Sequence, residues 1–156
     1  MATVRRTFEV AAQAESVWDA VRDVGNVHTR LAPGVVSDCR LDGRTRRVTF
    51  ANGLVLTEQI VTIDDTARRL AYTSVSGSTT HHHASVEVLP RDTGSRVVWT
   101  TDLIPDDLAD MVGGLMDAGV AAMSAVFDAM APESADQRPP RPAVTEADTE
   151  ADTETC

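Results

Sequence analysis

The order of its predicted elements constrains this chain more than any single motif does. One strand-like run comes first, then two short helices, six further strand-like runs and one long helix rich in Met, Ala and Gly. Strands joined by short turns form an antiparallel meander. The order therefore predicts an α+β fold in which a curved seven-stranded antiparallel sheet wraps around a long C-terminal helix. Because such a sheet stands off from the helix, we expect an internal cavity between them.

Alternating apolar residues and turn signals give the element bounds. Asp42-Gly43 and Asn52-Gly53 are hairpin turns, and Pro105 ends the last strand. Asp106 or Asp107 is expected to cap the long helix, which ends near Met130. The predicted strands are 3–10, 35–41, 46–51, 54–63, 69–75, 81–89 and 96–103, and the two short helices are 14–23 and 26–31.

Composition divides the 156 residues into two parts, and both are acidic. The formal net charge is −10, which argues against nucleic acid and anionic membrane surfaces as partners. Residues 132–156 are rich in Pro, Ala, Thr and acids and contain a repeated EADT, a composition that cannot bury a core. We therefore expect a ligand-binding domain at 1–131 and a disordered acidic tail at 132–156.

Composition also indicates a cellular setting. All fourteen basic residues are Arg, which suggests GC-rich coding and a bacterial source. Two cysteines do not make a disulfide framework, and the N-terminus carries no apolar signal region. We expect a cytoplasmic protein with no membrane insertion, either a monomer or a homodimer.

Four stretches of the chain are typical of one protein family. They are AESVWDAVRDVGNVHTRLAPGV, LVLTEQIVTIDDTARRLAYTSV, HHHASVEVLP and RVVWTTDLIPDD. Together they resemble the START-like, Bet v 1-like (SRPBCC) superfamily, in particular its bacterial polyketide cyclase/dehydrase-type members. The resemblance implies the helix-grip fold, a hydrophobic ligand between sheet and helix, loops at 51–53 and 75–80 that gate it, and chemistry without a cofactor. The superfamily also contains carriers and receptors, so the activity stays open.

Glu58 is the first candidate for proton chemistry. It shares strand parity with Leu54, Leu56 and Ile60, and a carboxylate on an apolar face is costly unless it is paired or has a function. The resemblance also implies a Glu in the pocket at this point. The alternative is a structural ion pair with Arg47 or Arg69 on the flanking strands.

His82 and Tyr72 are the other two catalytic candidates. His82 shares parity with the apolar Ala84, Val86 and Val88, and an inward imidazole can take or give a proton. The alternative is a histidine that fills space and satisfies a polar neighbour. The Tyr72 hydroxyl can face a ligand or close a hydrogen bond in the core.

The remaining candidates would contact the ligand. Arg30 can hold an anionic group or be a solvated surface residue, and Trp99 also suits core packing. Glycines inside the long helix indicate close packing or room for a ligand. The predicted ligand-binding residues are His28, Arg30, Leu56, Ile60, Trp99, Met111, Leu115, Gly119 and Met123.

We predict no metal site. His81 and His83 share one strand face, but no third ligand is evident, and catalytic zinc needs three. The leading functional hypothesis is a cyclase or dehydratase that acts by acid/base catalysis. A non-catalytic carrier of a lipid-like or polyketide-like molecule is the second, and a protein-binding module is the third.

Overall fold

The computed structural model describes residues 1–130, which form a sheet wrapped around a helix. All seven strands pair antiparallel in the order β1-β7-β6-β5-β4-β3-β2. The predicted fold is therefore confirmed. The elements are β1 (Ala2–Val10), α1 (Ala14–Arg22), α2 (Val27–Arg30), β2 (Val36–Asp42), β3 (Thr45–Phe50), β4 (Val55–Asp64), β5 (Arg69–Ser74), β6 (His81–Pro90), β7 (Ser95–Ile104), a 3₁₀ turn (Asp106–Leu108) and α3 (Ala109–Ala129). The acidic tail that we predict at 132–156 lies outside the described residues.

The expected helix cap is wrong. α3 begins at Ala109, its N-cap is Leu108, and no side chain caps it. Both aspartates lie in the 3₁₀ turn that precedes α3. Asp106 instead pairs with the N-terminal amine at 2.6 Å.

Strand parity places the core where the sequence predicts it. Ala84, Val86 and Val88 of β6 are buried, and so are Val97 and Leu103 of β7. The interior contains a large apolar cluster under α1 and the C-terminal part of α3, and a small one at the other end of the sheet. Trp99 packs against both clusters, so it lies at the middle of the interior.

α3 closes the concave side of the sheet. With the 3₁₀ turn before it, this helix is long and apolar enough to cross a membrane by length and composition alone. Its Met116, Met123 and Phe127 are nevertheless buried in the core. The arrangement is that of a core helix.

Gly119 marks a close approach of α3 to the sheet. A Cβ at Gly119 would lie 2.8 Å from the Trp99 ring, whereas one at Gly114 would meet nothing within 4 Å. The glycine at 119 therefore serves close packing. It also lets the Trp99 ring reach across to the helix backbone.

Alanine substitutions at these two glycines are expected to have opposite effects. Gly119→Ala should destabilise the protein, because overpacking costs about 1–3 kcal/mol and outweighs the ~1 kcal/mol gain in helix propensity. Gly114→Ala should gain that ~1 kcal/mol. Urea denaturation measures both, and equal effects at the two sites would contradict the close contact.

Candidate functional site

Two adjoining cavities lie between the sheet and α3. The inner cavity has a volume of about 90 Å³ and lies toward α1 and α2. The outer cavity has a volume of about 180 Å³ and reaches the loop between β5 and β6. Five residues line both of them: Phe50, Glu58, Tyr72, Trp99 and Leu115.

The two cavities differ in their walls. The inner one is apolar except for Arg46, Glu58 and Tyr72. The outer one adds hydroxyl groups from the β5–β6 loop and from β7, together with His82. A cavity of about 150 Å³ holds benzene, so the joint space suits one or two rings. The polar walls of the outer cavity are Ser74, Ser76, Ser78, Thr79, His82 and Thr101.

A buried ion pair lies where the cavities meet. Arg46 and Glu58 are opposite each other in the β3–β4 register. Arg46 Nε donates to Glu58 Oε2 at 2.7 Å and Arg46 Nη1 donates to the carbonyl of Val24 at 3.2 Å. The side chains of Arg46 and Glu58 are only 6% and 9% exposed, respectively. Burial opposes the charged form of Arg46, but the Glu58 charge prevails and raises the pKa of the guanidinium.

Tyr72 lies beside this ion pair. The Arg46 guanidinium carbon is 4.9 Å from the centre of the Tyr72 ring, a cation–π contact. Trp99 Nε1 donates to the Tyr72 hydroxyl at 3.1 Å. Burial, reinforced by the Glu58 charge, raises the pKa of Tyr72. The hydroxyl therefore keeps its proton and can donate it in a hydrogen bond.

His82 faces the outer cavity as a neutral ring. Its Nδ1 accepts a hydrogen bond from the backbone N–H of Ser74 at 2.9 Å, which assigns the proton of the neutral ring to Nε2. Burial lowers the pKa of His82, while Glu58 partly offsets this. In this state His82 is a hydrogen-bond donor at Nε2 rather than a base.

We expect the stability of the protein to fall as the pH drops below 6.5, the ordinary pKa of histidine. The pKa of His82 is lower in the folded protein, so the unfolded chain binds more protons in this range and protonation favours unfolding. Protonation also removes the acceptor for the Ser74 N–H.

His82→Asn provides the control for this pH dependence. An Asn side-chain oxygen can replace Nδ1 as acceptor but does not titrate. Urea midpoints at several pH values between about 5 and 8 should slope more steeply for the natural protein than for the variant. Equal slopes would show that His82 is not the responsible group.

Most of the predicted site residues meet at these cavities. Glu58, Tyr72 and Trp99 line both, and His82 lines the outer one. The predicted gate at 75–80 contributes Ser76, Gly77, Ser78 and Thr79 to the outer wall. The ligand-binding candidates that line at least one cavity are Leu56, Trp99, Met111, Leu115, Gly119 and Met123.

Three predicted residues line neither cavity. Arg30 forms ion pairs with Asp19 at 2.7 Å and Asp23 at 3.0 Å, so its charge serves the packing of α2 on α1. Ile60 is buried in the apolar core instead. His28 lies on α2, and its buried Nδ1 has no hydrogen-bond partner among residues 1–130.

Sequence reasoning missed Arg46. It names Arg47 and Arg69 as possible partners of Glu58, but Arg46 is the partner in the structure. Arg47 is exposed on the outer face of β3. The signal that could have found Arg46 is strand parity, because Arg46 lies on the same face of β3 as Val48, which is buried.

Across residues 1–130, no group of three His, Cys, Asp or Glu is placed to hold a metal ion.

The profile of one protein family, described as polyketide cyclase / dehydrase and lipid transport, matches residues 1–131. The chain belongs to this family. No curated protein matches this polyketide cyclase/dehydrase family member by sequence. A solution structure from Thermobifida fusca is 35% identical, with 83% of this chain and 95% of that chain covered and a TM-score of 0.70.

More distant structures share the fold of this polyketide cyclase/dehydrase family member. The protein XoxI from Bacillus cereus is 20% identical, with coverage of 81% and 96% and a TM-score of 0.73. Norcoclaurine synthase from Thalictrum flavum, solved in complex with dopamine and hydroxybenzaldehyde, is 18% identical, with coverage of 80% and 85% and a TM-score of 0.60. Family and fold together identify a hydrophobic ligand-binding domain.

Proposed function

We propose that this domain binds a hydrophobic small molecule bearing a ketone and catalyses its cyclisation or dehydration by acid/base chemistry without a cofactor. One observation carries the proposal: Glu58, Tyr72 and His82 all line the outer cavity. A carboxylate and two hydrogen-bond donors around one small volume can handle a proton and a developing oxyanion.

Each of the three side chains has a distinct role in this proposal. Glu58 is the base, because it is the carboxylate that both cavities share. Tyr72 holds its proton through a raised pKa, so its hydroxyl donates to the ketone oxygen. His82 donates from Nε2, since Nδ1 is occupied by the Ser74 N–H.

Dehydration of a β-hydroxy ketone illustrates the proposed step. Glu58 takes a proton from the carbon between the carbonyl and the carbinol, and the electron pair forms an enolate whose oxygen accepts hydrogen bonds from Tyr72 and His82. The carbonyl then re-forms, a carbon–carbon double bond appears and the carbinol C–O bond breaks. The leaving hydroxide takes the proton from Glu58, so the products are an enone and water.

The second candidate is a non-catalytic carrier of a lipid-like or polyketide-like molecule. The Arg46–Glu58 ion pair favours it, because Arg46 Nε already occupies Glu58 Oε2 at 2.7 Å and a paired carboxylate can serve the structure without any proton transfer. We infer a cytoplasmic setting for either function, which is compatible with the free, buried thiol of Cys39.

Two measurements test the proposal. Native mass spectrometry of the purified protein should find a co-purified apolar small molecule. The aldol adduct of acetone and benzaldehyde serves as a probe substrate, because its dehydration gives a conjugated enone with strong ultraviolet absorbance. We expect saturable conversion above the buffer rate. Saturable binding of the adduct without conversion would favour the carrier.

A further inference from the structure

Among the residues that the structure describes, the buried ion pair leaves one donor nitrogen, Arg46 Nη2, and one acceptor oxygen, Glu58 Oε1, without a hydrogen bond at the cavity wall. Arg46 uses Nε and Nη1, and Glu58 uses Oε2. Within residues 1–130, no hydrogen bond reaches Arg46 Nη2 or Glu58 Oε1. Both residues are more than nine-tenths buried and both line the inner cavity. Both atoms keep some access to the cavity, because the fully enclosed side-chain atom without a partner among residues 1–130 is His28 Nδ1. A ligand that hydrogen-bonds to both charged groups would therefore gain affinity.

Charge decides which kind of ligand fits. The guanidinium and the carboxylate neutralise each other, so the pair offers no net charge to attract an anion. A carboxylate ligand would also meet Glu58 at close range, and like charges repel in a medium of low dielectric constant. A hydroxyl group both donates and accepts a hydrogen bond, which matches one free acceptor beside one free donor.

The apolar walls and the volume of the inner cavity indicate what kind of molecule carries the hydroxyl. Apart from Arg46, Glu58 and Tyr72, the inner cavity is apolar, and its volume is about 90 Å³. Because benzene occupies a cavity of about 150 Å³, the inner cavity admits the hydroxyl-bearing edge of a flat ring, and the rest of the ring extends into the outer cavity. A carboxyl-terminated fatty acid fits neither the charge nor the size.

We propose that the Arg46–Glu58 pair is a subsite for the neutral hydroxyl of an enol or phenol, with Nη2 donating to the hydroxyl oxygen and the hydroxyl donating a hydrogen bond to Oε1. The subsite selects against carboxylates. This inference rests on the proposed function, since it describes how a ligand in that cavity is oriented. It places the hydroxyl and the adjoining edge of the ring in the inner cavity and the rest of the molecule in the outer cavity, toward Tyr72 and His82.

Three related probes test the subsite. β-Naphthol, its methyl ether and β-naphthoate share one ring system and differ in the group offered to the pair. Isothermal titration at neutral pH measures the dissociation constant of each. We expect naphthol to bind about ten- to a hundredfold more tightly than the ether, as a hydrogen bond to a charged group implies. Naphthoate should bind more weakly than naphthol.

The double variant Arg46→Met/Glu58→Leu removes the pair without leaving a buried charge alone. It should bind naphthol and the methyl ether with equal affinity. Arg47→Met is the matched control, because Arg47 is the next residue on β3 but is exposed on the outer face, and it should keep the preference. If Arg46→Met/Glu58→Leu keeps the preference for naphthol over the ether, the subsite is overturned and the proposed function is left intact. Failure of all three probes to bind the natural protein would overturn both.

Discussion

Replacing Arg46 alone with Met is expected to lower the free energy of unfolding by about 3–5 kcal/mol. The substitution leaves the Glu58 carboxylate, which is 9% exposed, in the interior without its partner. It also removes the donor to the Val24 carbonyl at 3.2 Å and the contact with the Tyr72 ring. Urea denaturation at pH 7 measures the loss.

Two variants show whether this loss arises from the unpaired charge. Arg46→Met/Glu58→Leu should be close to the natural protein in stability or above it, because apolar residues of similar volume often replace a buried ion pair without loss. Arg47→Met should have little effect, since that residue is exposed. A double variant as unstable as Arg46→Met would mean that packing, rather than charge, makes Arg46 important.

Glu58→Gln is expected to slow dehydration of the acetone–benzaldehyde adduct about 10²–10⁴-fold, the usual contribution of a positioned general base. Glutamine keeps the shape and an oxygen that can accept from Arg46 but cannot take up the proton. The variant should therefore still bind the adduct and show its effect in kcat. The enone absorbance gives the rate, and calorimetry gives the affinity.

Glu87→Gln is the matched control for this activity measurement. Glu87 lies on β6, where the buried Ala84, Val86 and Val88 define the opposite face, so its loss should not change the rate. An unchanged rate in Glu58→Gln, with only the affinity altered, would favour the carrier.

Local sequence patterns were sufficient to predict the fold. Hairpin turns such as Asp42-Gly43 and Asn52-Gly53 act between neighbouring strands, so they specify an antiparallel meander without long-range information. Strand parity likewise predicted that Glu58 and His82 face inward, and both line the outer cavity in the structure. These features depend on contacts close in the chain or on the period of two in a strand.

Features that depend on how distant elements pack were not predictable in the same way. Arg30 lies beside Asp19 and Asp23 only because α2 folds back on α1. The hydrogen bond from Ser74 to His82, which decides the tautomer, requires the β5–β6 turn geometry. The choice of Arg46 over Arg47, by contrast, follows from strand parity, because Arg46 shares a face with the buried Val48.

The methionine methyl groups provide the most direct test of a hollow between the sheet and α3. The chain has five methionines. Met111, Met116 and Met123 line the cavities, whereas Met1 and Met130 are exposed and line neither. In a protein carrying ¹³C-labelled methionine methyls, β-naphthol should shift the three cavity signals with one saturation curve and leave Met1 and Met130 unchanged. Signals from Met111, Met116 and Met123 that stay fixed, or that move no more than those of Met1 and Met130, would contradict an internal binding cavity.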